Sequence, residues 1–157
     1  MWGGAPQSII KDMLMTGAHV IDAERAFARA RRTRRRAALA RMLRREPSEC
    51  GRLAVYDERK LRRGSARPHG IREIPLAEID GTLEPSKAAQ FDRYFRPASG
   101  AATRWQRVWM AEQRGAVLPP ISVVPTDDGY AVRDGHHRVS VARARGATTI
   151  DAEVLAA

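Results

Sequence analysis

The residues best suited to chemistry stand together in one pentapeptide, Asp134-Gly135-His136-His137-Arg138. A β-rich run, YAVRD, leads into it and a Val/Ala run, VSVARAR, leads out, so the five residues fall where a strand ends and a helix begins. At a helix N-terminus the first backbone N–H groups lack partners and the dipole is positive, which suits a phosphate. Gly135 lets a phosphate approach the backbone without a Cβ, and Arg138 offers a two-pronged donor. Asp134 can cap the helix, hold Mg²⁺ opposite the phosphates or act as a base; Asp134 and His137 are the candidate catalytic groups. The bland alternative is local: Asp134 only caps, Gly135 only turns, and both imidazoles hydrogen-bond to neighbours. Zinc has little support, because adjacent His136 and His137 diverge on a helix and Cys50 is remote. A serine hydrolase has none, since Ser140 follows the corner by half a helix and sits in no nucleophile elbow.

The elements that position this corner read as α+β, with a mixed sheet and flanking helices. ISVVP and YAVRD form a hairpin through Thr126-Asp127-Asp128-Gly129, whose Asp-Gly pair supplies positive φ angles. VSVARAR is one helix ended by Gly146, and TTIDAEVLA is a further strand. Upstream, IREIPLAEI is a first strand interrupted at Pro75, which suits an edge or a strand end. SKAAQFDRYF is a short helix before Pro97. AATRWQRVWMAEQRG is another, ended by Gly115, with Trp105, Val108 and Trp109 on one stripe that reads as core.

Charge separates this region from what precedes it. Residues 1–70 hold 17 Lys/Arg against 7 Asp/Glu, and residues 71–157 hold 11 of each, so the formal +10 is wholly N-terminal. Lys11, Lys60 and Lys87 are the only lysines, a bias that GC-rich coding explains in part. Ser8 can cap a short helix through Met15 that Gly17 ends, and Asp22 a longer one that stops before Pro47. The second is a basic helix with a thin apolar stripe. Either its Arg31, Arg32, Arg34, Arg35 and Arg36 contact nucleic acid, or it is a solvated helix lying on its Phe27 and Leu43 side. The expected organisation is a basic helical extension over 1–46, a linker over 47–70 with a short strand at Leu53 to Tyr56, and an α+β domain over 71–157.

At 157 residues the chain is too short for multidomain machinery. One cysteine excludes an internal disulfide, and no window approaches the ~18 apolar residues of a membrane span. A soluble, cytoplasmic protein is expected.

Together IREIPLAEI, LPPISVV, GYAVRDGHHRVSVARARG and IDAEV resemble the ParB/sulfiredoxin-like superfamily, in its stand-alone ParB-like nuclease or partition-protein N-terminal form, over about residues 71–155. The resemblance implies a small α+β fold whose corner cradles nucleotide phosphates. Partition proteins bind and hydrolyse CTP as a DNA-clamp switch, through a Gly-x-x-Arg corner that maps onto Gly135 and Arg138; their acidic residue after the glycine is His136 here. The chain ends at Ala157, before any helix-turn-helix, so a full clamp is not expected. Sulfiredoxins carry Gly-Cys-His-Arg over Gly135 to Arg138, and with His136 in place of their cysteine, sulfinate repair is excluded. Free-serine kinases share the Asp-Gly-His-His-Arg corner, which keeps phosphoryl transfer open with Asp134, Glu73 or Glu78 as base.

The first reading is therefore a ParB-like nucleotide-binding regulatory module. It holds a nucleoside triphosphate, CTP or ATP, with Mg²⁺ at Gly135, His136, His137 and Arg138, the metal at Asp134, and DNA on the basic helix. The alternative is a small-molecule kinase or NTPase of the same fold, and the third reading is a ParB-like nuclease. Nucleotide, DNA and a second copy of the chain as a homodimer are the expected partners, and no membrane is.

Overall fold

The computed structural model describes residues 7–61 and 70–155. One helix, α1 (Gln7–Leu43), runs where two are expected. Gly17 lies inside it, with open space where a Cβ would stand. A glycine there costs about 1 kcal/mol relative to alanine, too little to end a helix that packs further on. Asp22 is therefore an interior residue and caps nothing. The Ser8 side chain lies outside the described residues.

Helix α1 docks through small residues. Ala23, Ala26, Phe27 and Ala30 follow the i, i+3, i+4, i+7 spacing of one face, and Ala26, Phe27 and Ala30 meet Trp105, Trp109 and Val141. Leu43, expected on the same side as Phe27, is 75% exposed. Sixteen residues at roughly 100° each carry it about 160° round the helix from Phe27. Leu39 and Met42 are exposed beside it.

The segment read as a linker begins the sheet. Leu53 is buried in the core, and β1 (Ala54–Val55) pairs in parallel with β3 (Ile79–Thr82). Residues 62–69 lie outside the described residues. IREIPLAEI divides at its proline into β2 (Ile71–Pro75), a 3₁₀ turn at Leu76–Glu78, and β3. Strand β2 is an edge, where Pro75 withholds no N–H from an inner ladder.

Six strands align in the order β1-β3-β5-β4-β6-β2, with β4 (Ile121–Pro125), β5 (Tyr130–Asp134) and β6 (Thr149–Val154). Pairs β1/β3, β3/β5 and β4/β6 are parallel, and β4/β5 and β2/β6 antiparallel, so the sheet is mixed and the fold α+β. The β4/β5 loop does not use positive φ at Asp128 or Gly129. It is closed by Thr126 N–H to Gly129 O and Gly129 N–H to Thr126 Oγ1, both 2.9 Å. Glycine is needed at 129 because a Cβ would strike the Glu78 carbonyl oxygen.

Helix α2 (Pro85–Gln90) is shorter than SKAAQFDRYF suggests. Asp92 ends the run by accepting the N–H groups of Tyr94 (3.0 Å) and Arg96 (2.9 Å) on Oδ1, a local bond that competes with helix. The turn drives Phe91 and Phe95 into the core beneath α4 (His136–Ala144), against Ile121, Val123, Val132, Val139 and Val154. Helix α3 (Ala102–Gln113) ends at Gly115 (φ 74°) as its sequence implies, with Trp105 fully buried and Trp109 half-buried. Among the described residues, no helix is long and apolar enough to cross a membrane.

Candidate functional site

Strands β3 and β5 run parallel and deliver Thr82 and Asp134 to the same end of the sheet, where α4 starts. Gly135 bridges β5 and α4 with φ 103°, ψ 16°. Val139 N–H bonds Gly135 O at 3.0 Å and closes the first turn, which leaves the amides of His136, His137 and Arg138 without intrahelical acceptors.

The corner is assembled as expected, but its side chains play other parts. Asp134 makes no cap hydrogen bond; it is exposed and pairs with Arg138 Nη2 at 2.8 Å. Arg138 Nη1 donates to the carbonyl oxygens of Pro119 and, at 2.8 Å, Pro120, so the guanidinium ties the loop before β4 to the helix. Gly135 does not clear space for a ligand: its missing Cβ would lie 2.5 Å from Ile121 Cγ2. We expect Gly135→Ala to cost about 2–4 kcal/mol, from left-handed strain plus overpacking. Adding Ile121→Ala should relieve the packing share; strictly additive losses in a denaturation double-mutant cycle would contradict this.

Both imidazoles turn inward. His136 is 3% exposed, its Nε2 is 2.6 Å from Thr82 Oγ1, and its ring stacks on Phe91 at 6.3 Å between centroids. Thr82 Oγ1 also accepts the Glu84 N–H at 2.9 Å. His137 is 8% exposed, meets Phe91 edge-on at 5.1 Å, and its buried Nδ1 has no partner among the described residues. Burial and then Lys87 push His136 down to about 4; burial, then Lys87 and Arg104, do the same for His137. Both are neutral at pH 7, and His137 is a poor proton donor there.

Lys87 and Arg104 were missed by the sequence reading. Neither has an ion-pair partner among the described residues, and the charge of each reaches His137. One signal was available, since Lys87 is the single lysine after residue 70. No family model matches the chain, and no curated protein matches it. A solved structure is similar. It is sulfiredoxin from Arabidopsis thaliana, at 21% identity and a TM-score of 0.42, over 55% of this chain and 85% of that one. No residue role is carried across at that identity.

The remaining candidates lie apart from the corner. Glu73 is on β2, three strands from β5 and so about 14 Å away, and it accepts the Thr149 hydroxyl. Glu78 precedes β3 at the Tyr130 end of the ladder, opposite Asp134. Ser140 is core and accepts Trp105 Nε1–H at 2.9 Å. In the basic helix, Arg34 Nη1 donates to Gln90 O (3.1 Å) and Arg96 O (3.4 Å), which makes it a clamp between α1 and the turn after α2. Arg32, Arg35 and Arg36 are exposed and Arg31 half-buried, with no ion-pair partner among the described residues. The described residues contain no group of three His, Cys, Asp or Glu side chains placed to share a metal.

Proposed function

We propose that the protein is a ParB-like nucleotide-binding regulatory module, with the phosphates of CTP or ATP at the start of α4. The observation that carries this reading is the left-handed Gly135 at the start of α4, which leaves the amides of His136 to Arg138 without intrahelical acceptors. Lys87 and Arg104, whose charges reach His137 and which have no ion-pair partner among the described residues, add positive potential. The backbone of the corner is the binding element; the two imidazoles shape the floor beneath it. Arg138 holds the loop at Pro119 and Pro120 in place.

Mg²⁺ fits this donor set in one respect: Asp134 offers an exposed carboxylate edge, and Mg²⁺ usually takes one or two carboxylates with phosphate oxygens and water. When bound it would neutralise phosphate charge. Regulation is favoured over catalysis because Asp134 is paired with Arg138 and His137 is buried, so neither stands ready to take a proton from an acceptor hydroxyl. In the same reading, the exposed Arg32, Arg35 and Arg36 of α1 meet DNA phosphates.

Thermal unfolding with ATP, CTP and GTP plus Mg²⁺ tests the site. A nucleotide at 100 times its Kd should stabilise by about 2.7 kcal/mol. Lys87→Ala or Arg104→Ala should weaken binding roughly tenfold or more, as loss of a charge-assisted contact does. No stabilisation by any nucleotide would end the reading, and phosphate transfer to a free amino acid would replace it with the kinase. Salt-dependent DNA binding that survives Arg32→Gln, Arg35→Gln and Arg36→Gln together would refute the DNA contact.

A further inference from the structure

A cavity of about 630 Å³ opens between α1, the C-terminal half of α4 and the turn after α2. That volume is typical of small-molecule sites. It is separate from the corner: Arg143, on its wall, is seven residues past His136, about 10 Å along α4.

Its lining has one sign of charge. Arg29, Arg96 and Arg143 contribute, and no Asp or Glu does. Arg96 Nη1, Trp109 Nε1 and Arg143 Nε, atoms of three lining residues, lie buried behind the wall without a hydrogen-bond partner among the described residues. Asp92 Oδ2 approaches Arg96 Nη1 only to 3.6 Å, an ion pair too long for a hydrogen bond. Arg143 Nη2 is held by Leu76 O (2.5 Å) and Ile79 O (3.0 Å), which fixes the guanidinium on the wall. No carboxylate stands on the wall beside these cations, which favours an anionic occupant. The rest of the wall mixes apolar and aromatic side chains, Phe95 and Trp109 among them, with the hydroxyl-bearing Thr33, Tyr94, Ser140 and Thr148.

We propose that this cavity binds a small organic anion, a flat apolar body ending in a carboxylate or phosphate head. The head pairs with the guanidinium groups of Arg96 and Arg143, and Arg29 closes over it from α1. Because α1 supplies one wall, the bound anion adds to the docking of that helix. This site does not depend on the nucleotide reading.

Anilinonaphthalene sulfonate, a fluorescent aromatic anion, is the probe. The full chain should bind it saturably with one-to-one stoichiometry. Naphthoate and naphthyl phosphate should displace it, the stronger competitor identifying the head group, and naphthylmethylammonium should not. Ala30→Trp, which thrusts an indole into the space, should abolish binding, and Arg29→Gln, at an exposed side chain, should weaken it about tenfold. Lys87→Ala should leave it unchanged. Equal displacement by the cation overturns the proposal, as does binding that Lys87→Ala removes. If Ala30→Trp fails to fold, unaltered affinity in Arg29→Gln is itself sufficient to overturn it.

Discussion

Lowering the pH from 7 to 5 is expected to remove about 2 kcal/mol of folding stability through His136 alone, with His137 acting in the same direction. The folded-state values near 4 lie below the ordinary 6.5. Between them the unfolded chain binds the protons that the folded chain refuses. The stabilisation is complete above about pH 6.5, falls as pH drops, and is gone below 4. In its steep part each histidine contributes about 1.4 kcal/mol per pH unit. The window from 7 to 5 keeps most carboxylates ionised, so urea unfolding at pH 7, 6 and 5 isolates the imidazoles. His137→Gln should reduce the slope and His136→Gln with His137→Gln should flatten it; a double variant as steep as the parent would sink the assignment. An anion bound beside Lys87 and Arg104 favours the protonated ring, so a phosphate ligand should raise the folded values and shrink the acid loss.

Much of the domain was readable because its signals are local. The hairpin strands, the helix after Gly135 and the stop at Gly115 each follow from residues within a few positions. Errors arose where a distant contact decided the outcome. Gly17 reads as a stop, yet Ala26, Phe27 and Ala30 dock α1 on Trp105 and Trp109 almost eighty residues later, and that packing outweighs the glycine. Gly129 reads as a positive-φ turn residue, but the Glu78 carbonyl sets the requirement there. Ala23, Ala26 and Ala30 add little to an apolar stripe read by size, although small side chains let two helices approach closely.

The corner shows the same division. Its location, a glycine between strand and helix, is legible; the left-handed φ at Gly135 and the use of the side chains are not. The Arg138 fork serves two proline carbonyls from another loop, and Gly135 makes room for Ile121. Lys87 and Arg104 come from α2 and α3, elements whose spatial relation to residue 137 no spacing rule states. Asp92 was hidden inside a run that looked helical, although its buried carboxylate shapes the turn that fixes Phe91 and Phe95.

Trp105→Ala should be the most damaging single truncation, at about 3–5 kcal/mol, and its effect should be uneven along the chain. Trp105 is 0% exposed and joins its own helix α3 to α1 and α4. Phe27 of α1 meets it edge-on at 5.5 Å, Trp109 stacks on it at 5.3 Å, and its Nε1–H reaches Ser140 Oγ of α4. Removing the indole opens a cavity and leaves a buried hydroxyl without its donor, two costs that add. The sheet core around Phe91 and Val132 forms a separate cluster and keeps its packing. Helix α1 keeps little beyond the Arg34 clamp, the His19–Gln113 bond and the Arg41 contact at Gly51. Amide exchange should therefore accelerate in α1 well before the strands, and denaturation should lose its single transition. Trp105→Phe, which restores most of the volume but not the donor, should cost only about 1–2 kcal/mol and keep α1 protected. Uniform exchange across α1 and the sheet in Trp105→Ala would mean that the helix is held by something other than this residue.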